Sequence, residues 1–209
     1  MSRRGSTLHA ALGAATLLLA LPLAGRAQVG TAIGVARNLS VEGRAGIGIP
    51  GGDLANVEDP GFSAGVGVSY RVANRLRLRA DADLETLLGA TVPNTLTSYD
   101  DLKLWHYGAG LELELLRPIV IPWRVSAGVG VGATTWKFDQ SASSKTYLTT
   151  SGFVRAGYSP MPLLDVFVQG RAYLMFTSPE DFAALGQTSP IGDRAWSFPV
   201  QAGVALHLP

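Results

Sequence analysis

The stretch RLRLRADADLE, residues 75–85, decides the fold. Its odd positions hold Arg75, Arg77, Arg79, Asp81, Asp83 and Glu85, and its even positions hold Leu76, Leu78, Ala80, Ala82 and Leu84. A period of two means a β-strand with one charged face and one apolar face. In a water-soluble barrel or sandwich the apolar face is the core. In a barrel that spans a bilayer it meets lipid, and the charges look inward.

Seven further pieces share this rhythm. They are 38–49 (open to extension back to Gly30), 62–72, 102–116, 123–138, 147–159, 164–176 and 196–208, with the quoted stretch running to about Leu87. Each lies near the roughly 9–11 residues, or slightly more, of a tilted bilayer-crossing strand. The connections alternate in length. Ala73-Asn74, Arg117–Pro122 and Pro160–Leu163 are short; Pro50–Gly61, Leu88–Asp101, Asp139–Thr146 and Thr177–Ala195 are long and rich in polar, Gly or Pro residues. The expected fold is all-β: an eight-stranded antiparallel up-and-down transmembrane β-barrel, with short turns on one side and long loops on the other.

Parity sorts the side chains. One face carries Val41, Ala45, Val66, Val68, Leu76, Leu78, Leu111, Val129, Val131, Val154, Val168 and Val204, with no charge in the central parts of the strands. The other face holds seven acids and seven arginines: Glu42, Asp81, Asp83, Glu85, Glu112, Glu114 and Asp165 against Arg44, Arg71, Arg77, Arg79, Arg124, Arg155 and Arg171. Such balance suits a narrow lumen, where an unpaired charge loses solvation at a cost of several kcal/mol. Glycines, among them Gly65, Gly67, Gly108, Gly110, Gly128, Gly130, Gly132 and Gly157, share that face and make room for the long side chains. Pairing of 75–87 with 102–116 brings Arg77 and Arg79 towards Glu112 and Glu114, and Arg124 joins them at the same end.

Aromatic placement chooses between the faces. Phe62, Trp105, Tyr107, Phe176, Trp196 and Phe198 lie on the apolar face near the long loops, and Tyr70, Trp123 and Tyr158 lie on it near the short turns. Two such girdles around an apolar band mark a lipid-facing surface, because amphipathic rings favour the interfaces. The apolar face is expected to point outward.

The ends and the composition bound the rest. Arg3 and Arg4, the apolar run Ala10–Leu23 and Gly25-Arg26-Ala27 read as a secretory signal peptide, residues 1–27, followed by one barrel domain, 28–209. Cleavage there removes Arg3, Arg4 and Arg26 and no acid, turning a net charge of +1 into −2. Nothing in that balance points to a nucleic-acid partner. The chain has no cysteine, so no disulfide framework supports it.

In these features the chain resembles the small eight-stranded outer-membrane barrels of the OmpA/OmpX type. The resemblance implies a bacterial outer-membrane location, outer-membrane lipid and lipopolysaccharide as surroundings, and the barrel-assembly machinery as a partner during biogenesis. The residues read as a non-enzymatic protein with no cofactor and no metal, whose exposed loops serve envelope structure, adhesion or binding. That family usually ends its last strand on an aromatic residue; this sequence reads Leu206-His207-Leu208-Pro209.

Other chemistries find thin support. His106 falls on the lumen side with Asp83 or Glu85 across from it, a pair that belongs to a polar network more often than to acid–base or metal chemistry. A lipid A-modifying enzyme needs a His–Ser–acid set at one rim, and His106-Tyr107 has no such serine beside it. GVGVGA, residues 128–133, alternates as a strand and opens no helix, so it is no phosphate loop. Pro179–Leu185 reads as a short helical turn. A lipocalin-like periplasmic barrel binding a small apolar ligand is the alternative, and it requires the apolar face inside. A narrow gated channel through rearranged ion pairs is a further reading.

Overall fold

The computed structural model describes residues 38–90, 99–116, 122–139, 143–180 and 191–208. The expected signal segment, the extension of the first strand to Gly30, and residues 181–185 lie outside them. Ten strands follow in order: β1 (Leu39–Gly48), β2 (Pro50–Gly51), β3 (Glu58–Ala73), β4 (Leu76–Gly89), β5 (Leu102–Leu116), β6 (Trp123–Phe138), β7 (Lys145–Met161), β8 (Leu164–Phe176), β9 (Arg194–Ser197) and β10 (Val200–His207). A 3-10 turn, Gly52–Asn56, links β2 to β3. No helix among the described residues is long and apolar enough to cross a membrane.

Antiparallel ladders join β1 to β3, each later strand through β8 to the next, and β8 to β10, while β10 returns to β1 and closes the ring. β2 and β9 prolong β1 and β10 towards the long loops and pair with each other. The ring therefore has eight staves, two of them interrupted. The interruptions have a local cause. Pro199 has no N–H to give a ladder, so the last stave breaks at Phe198-Pro199. The break is bridged by Phe198 N–H donating to Ile49 O at 2.8 Å and by Pro199 O accepting Arg171 N–H at 2.9 Å.

Several staves run further towards the long loops than their alternation predicts. β3 begins at Glu58, because a bulge between Asp59 and Phe62 absorbs Pro60 and Gly61, residues that read locally as loop. β4 continues to Gly89, and β7 starts at Lys145.

Candidate functional site: a charged lumen beneath an apolar cap

Alternation sets the two faces through the middle of the staves. β8 shows it plainly: Asp165, Phe167, Gln169, Arg171, Tyr173 and Met175 are buried, while Val166, Val168, Gly170 and Phe176 are exposed. The outward face is a band of exposed aliphatic side chains, with Val129 at 65 % and Val154 at 59 % exposure. Water would oppose a surface of this extent, and lipid would not. Phe62, Trp105, Tyr107, Phe176, Trp196 and Phe198 project outward at the long-loop edge of the band; Trp123 and Tyr158, exposed, and Tyr70, half-buried, stand at the short-turn edge. Trp196 stacks on Phe198 at 6.0 Å, and Trp123 tilts against Tyr158 at 5.4 Å.

Inside, four arginines and four acids form one network across the lumen. Glu42 (β1) receives Arg44 at 2.5 Å, Arg155 (β7) at 2.7 Å, and Arg79 (β4). Asp81 takes Arg79 at 2.8 Å, Arg44 at 3.0 Å and Arg171 (β8) at 3.0 Å. Asp83 takes Arg44 at 2.6 Å and the Tyr173 hydroxyl at 2.6 Å. Glu112 (β5) accepts from Arg79 at 3.1 Å and from the Ser126 hydroxyl at 2.7 Å. Aromatic faces support the same arginines: Arg155 lies 3.8 Å from the Phe167 ring centroid, and Arg171 4.9 Å from that of Phe153. Charge-assisted bonds of this kind offset the desolvation of each ion only because every guanidinium meets more than one acceptor. The result ties β1 and β4 to β7 and β8, which are not ladder neighbours.

The remaining lumen residues of the sequence reading sit around this network. Arg124 pairs with Asp165 near the short-turn mouth, where His207 and Ser159 also bond that carboxylate. Arg77 stands opposite Glu112 in the ladder, yet its guanidinium reaches Ser40 Oγ at 3.2 Å. Arg71 and Glu114 are half-buried at the same mouth, outside the central network. Among the described residues no arginine pairs with Glu85; it accepts from Ser197 and lies 3.1 Å from His106 Nε2. His106 is the cross-strand partner of Asp83, bonds Thr134 Oγ1 through Nδ1 at 2.7 Å and stacks on Tyr173 at 3.8 Å. It is only 2 % exposed.

Glycine makes this crowding possible at two facing positions. A Cβ on Gly65 would collide with Asp83 Oδ1, and one on Gly67 would stand 2.7 Å from Asp81 Oδ1. Both glycines are the cross-strand partners of those aspartates. A cavity of ≈ 20 Å³ lies beside Arg79 and Tyr173 against the Gly108 and Gly130 wall, room for about one water.

Charge does not fill the whole lumen. Towards the long loops the inner face turns apolar. Leu87, Leu102, Leu104, Trp136, Phe138, Tyr147 and Met175 converge there with Leu54 and Val57 of the 3-10 turn segment and with Ile191 and Ala195. Trp136 Nε1–H donates to Met175 Sδ at 3.3 Å, and its ring meets Tyr147 edge-on at 5.6 Å. Gly192 N–H donates to Asp53 Oδ2 at 3.1 Å and Thr177 Oγ1 to Gly192 O at 2.9 Å, which fastens residues 191–193 over the cap. Treating the charged face as polar along its whole length misses this cap. The signal is nevertheless present, since Leu102 and Leu104 share parity with His106 and Glu112, and Met175 with Arg171.

No protein-family model matches the chain, and no curated protein matches it. Solved structures do. Neisserial surface protein A aligns over 81 % of this chain and 97 % of its own at 18 % identity and a TM-score of 0.58. A major outer membrane protein from Thermus thermophilus aligns over 81 % and 98 % at 15 % identity and a TM-score of 0.53. With its closed ring of eight staves, charged interior and lipid-compatible exterior, the chain has the fold of the small eight-stranded outer-membrane β-barrels.

Proposed function

We propose that this protein is an integral, non-enzymatic barrel of the bacterial outer membrane, exported by the segment 1–27. It stands among lipopolysaccharide and outer-membrane lipid after insertion by the barrel-assembly machinery. Its work lies in the long loops, in envelope structure, adhesion or binding, and not in bulk transport. One observation carries the reading: aliphatic side chains bounded by aromatic girdles cover the outside, while charges in mutual contact close the inside. An eight-stranded barrel whose side chains meet across the axis leaves no diffusion path. The lipocalin-like alternative needs an apolar interior open to a ligand. Here the central interior is ionic, and the apolar part is packed shut.

Topology tests the proposal. An epitope inserted at residues 91–98 is expected to be reached by antibody on intact cells, and one inserted at Asn74-Arg75 only after permeabilisation. Recovery of the protein from the soluble periplasm, or the reverse labelling, would overturn it.

A further inference from the structure

Beyond the long-loop girdle, outside the aliphatic band, stands one acid that the ion-pair network does not reach. Glu58 opens β3, four residues before the girdle residue Phe62. It is 1 % exposed, and neither carboxylate oxygen has a hydrogen-bond partner. Its cross-strand partner is Gly89, whose N–H donates to Asp101 Oδ1 at 3.0 Å. The charges that bear on it are all acidic: Asp101, Asp100 and Asp59. The lysine two residues along, Lys103, is held on the outer surface by Asp139 at 2.5 Å.

Such a group has two ways to settle. It can hold a proton, and burial with these three carboxylates pushes its pKa up to about 9. Protonation leaves the problem half solved, because the resulting hydroxyl still has no acceptor and the three neighbouring acids still repel one another. A divalent cation satisfies both oxygens and offsets two of the cluster's four negative charges in one step. Hard carboxylate oxygens at a rim suit Ca²⁺, which accepts six to eight oxygen ligands in flexible geometry and completes its shell with carbonyls and water.

We infer that Glu58 and Asp101, with Asp100 and the exposed Asp59, form a divalent-cation site of the Ca²⁺ type that clamps the start of β3 to the segment preceding β5. Among the described residues no three carboxylates already converge on one point at ligand distances. The ion therefore draws Asp59 or Asp100 inward as it binds. The site stands independently of what the loops engage.

The test uses the full mature chain refolded in detergent, with Tb³⁺ as the probe and the nearby Tyr99 and Trp136 rings as luminescence sensitisers. Saturable luminescence that Ca²⁺ displaces is expected, with at least a tenfold loss of affinity in Glu58→Gln and in Asp101→Asn. Lys103→Ala is the control and is expected to bind as the parent does. A heat-dependent mobility shift in SDS establishes that each variant is folded. At pH 8, Ca²⁺ is expected to raise the unfolding temperature of the parent and not of Glu58→Gln. Absence of saturable binding at millimolar Ca²⁺, or a Glu58→Gln protein that binds like the parent, would overturn the site. A stability that follows pH alone, unchanged by Ca²⁺, would overturn it in favour of a protonated Glu58.

Discussion

Around Glu42 the lumen is closed by ions, and around Trp136, nearer the long loops, it is closed by hydrocarbon. Both fillings hang from the same inward-facing positions of the same staves, so alternation alone does not separate them. The difference is in how each tolerates damage. The ionic part is a set of mutual dependencies: the single carboxylate of Glu42 meets Arg44, Arg79 and Arg155. Removing one member weakens several buried ions at once; without Glu42, Arg155 keeps only the neutral Gln169 amide as a hydrogen-bond acceptor. The apolar cap is a sum of contacts, each of which can be lost with only its own burial and cavity terms. The first arrangement fixes which strands face one another across the axis, and the second seals the end.

The comparison is broken most severely at Glu42. Glu42→Ala leaves three buried guanidinium groups short of an acceptor and is expected to cost about 3–5 kcal/mol of stability in urea unfolding. A cap substitution, Leu104→Ala, is expected to cost about 2–5 kcal/mol through lost burial and cavity formation. The Glu42→Ala deficit is expected to vary little between low and high ionic strength, because a buried network is weakly screened. Gly65→Ala tests the room made for Asp83. Its Cβ lands on Asp83 Oδ1, and a loss of about 1–3 kcal/mol is expected, with Gly170→Ala, which meets nothing within 4 Å, as the neutral control.

Acidity separates the two regions again. At the loop end, with no divalent cation bound, burial beside three carboxylates pushes the Glu58 pKa up to about 9 from the ordinary 4.5. The folded state then binds more protons than the unfolded one between those values. In the absence of divalent cations, stability is expected to fall as pH rises through that window, and Glu58→Gln is expected to flatten the slope in thermal melts. Lys103→Ala should matter least, at most about 1 kcal/mol, because its pair with Asp139 is exposed to solvent.

Much of this was legible from residues 75–85 and their kin. A strict period of two marked the staves, the matched Arg and acid residues marked one face as a shared interior, and the girdles chose that face as the inside. The fourteen charged positions are buried or half-buried. What parity could not supply is who meets whom across the axis. Arg155 reaches Glu42 over 113 residues of sequence, and no ladder links β7 to β1. Arg77 shows the converse, since its ladder partner Glu112 is not the group it bonds. The cap was hidden for another reason: it is completed by Leu54 and Ile191, loop residues with no periodicity to reveal them. The early start of β3 was hidden because Asp59-Pro60-Gly61 carry turn chemistry that a bulge overrode.

Which face is outside is the central claim, and the absence of cysteine from the 209-residue chain makes it directly measurable. Single cysteines placed at Val129 and at Ser151 carry a nitroxide in the protein reconstituted into bilayers, and their collision rates with oxygen and with a water-soluble nickel chelate are compared. The label at Val129 is expected to collide freely with oxygen and little with the chelate, and the label at Ser151 to be shielded from both. A Val129 label shielded from both, with a Ser151 label reached by the chelate, would put the apolar face inside and contradict the claim.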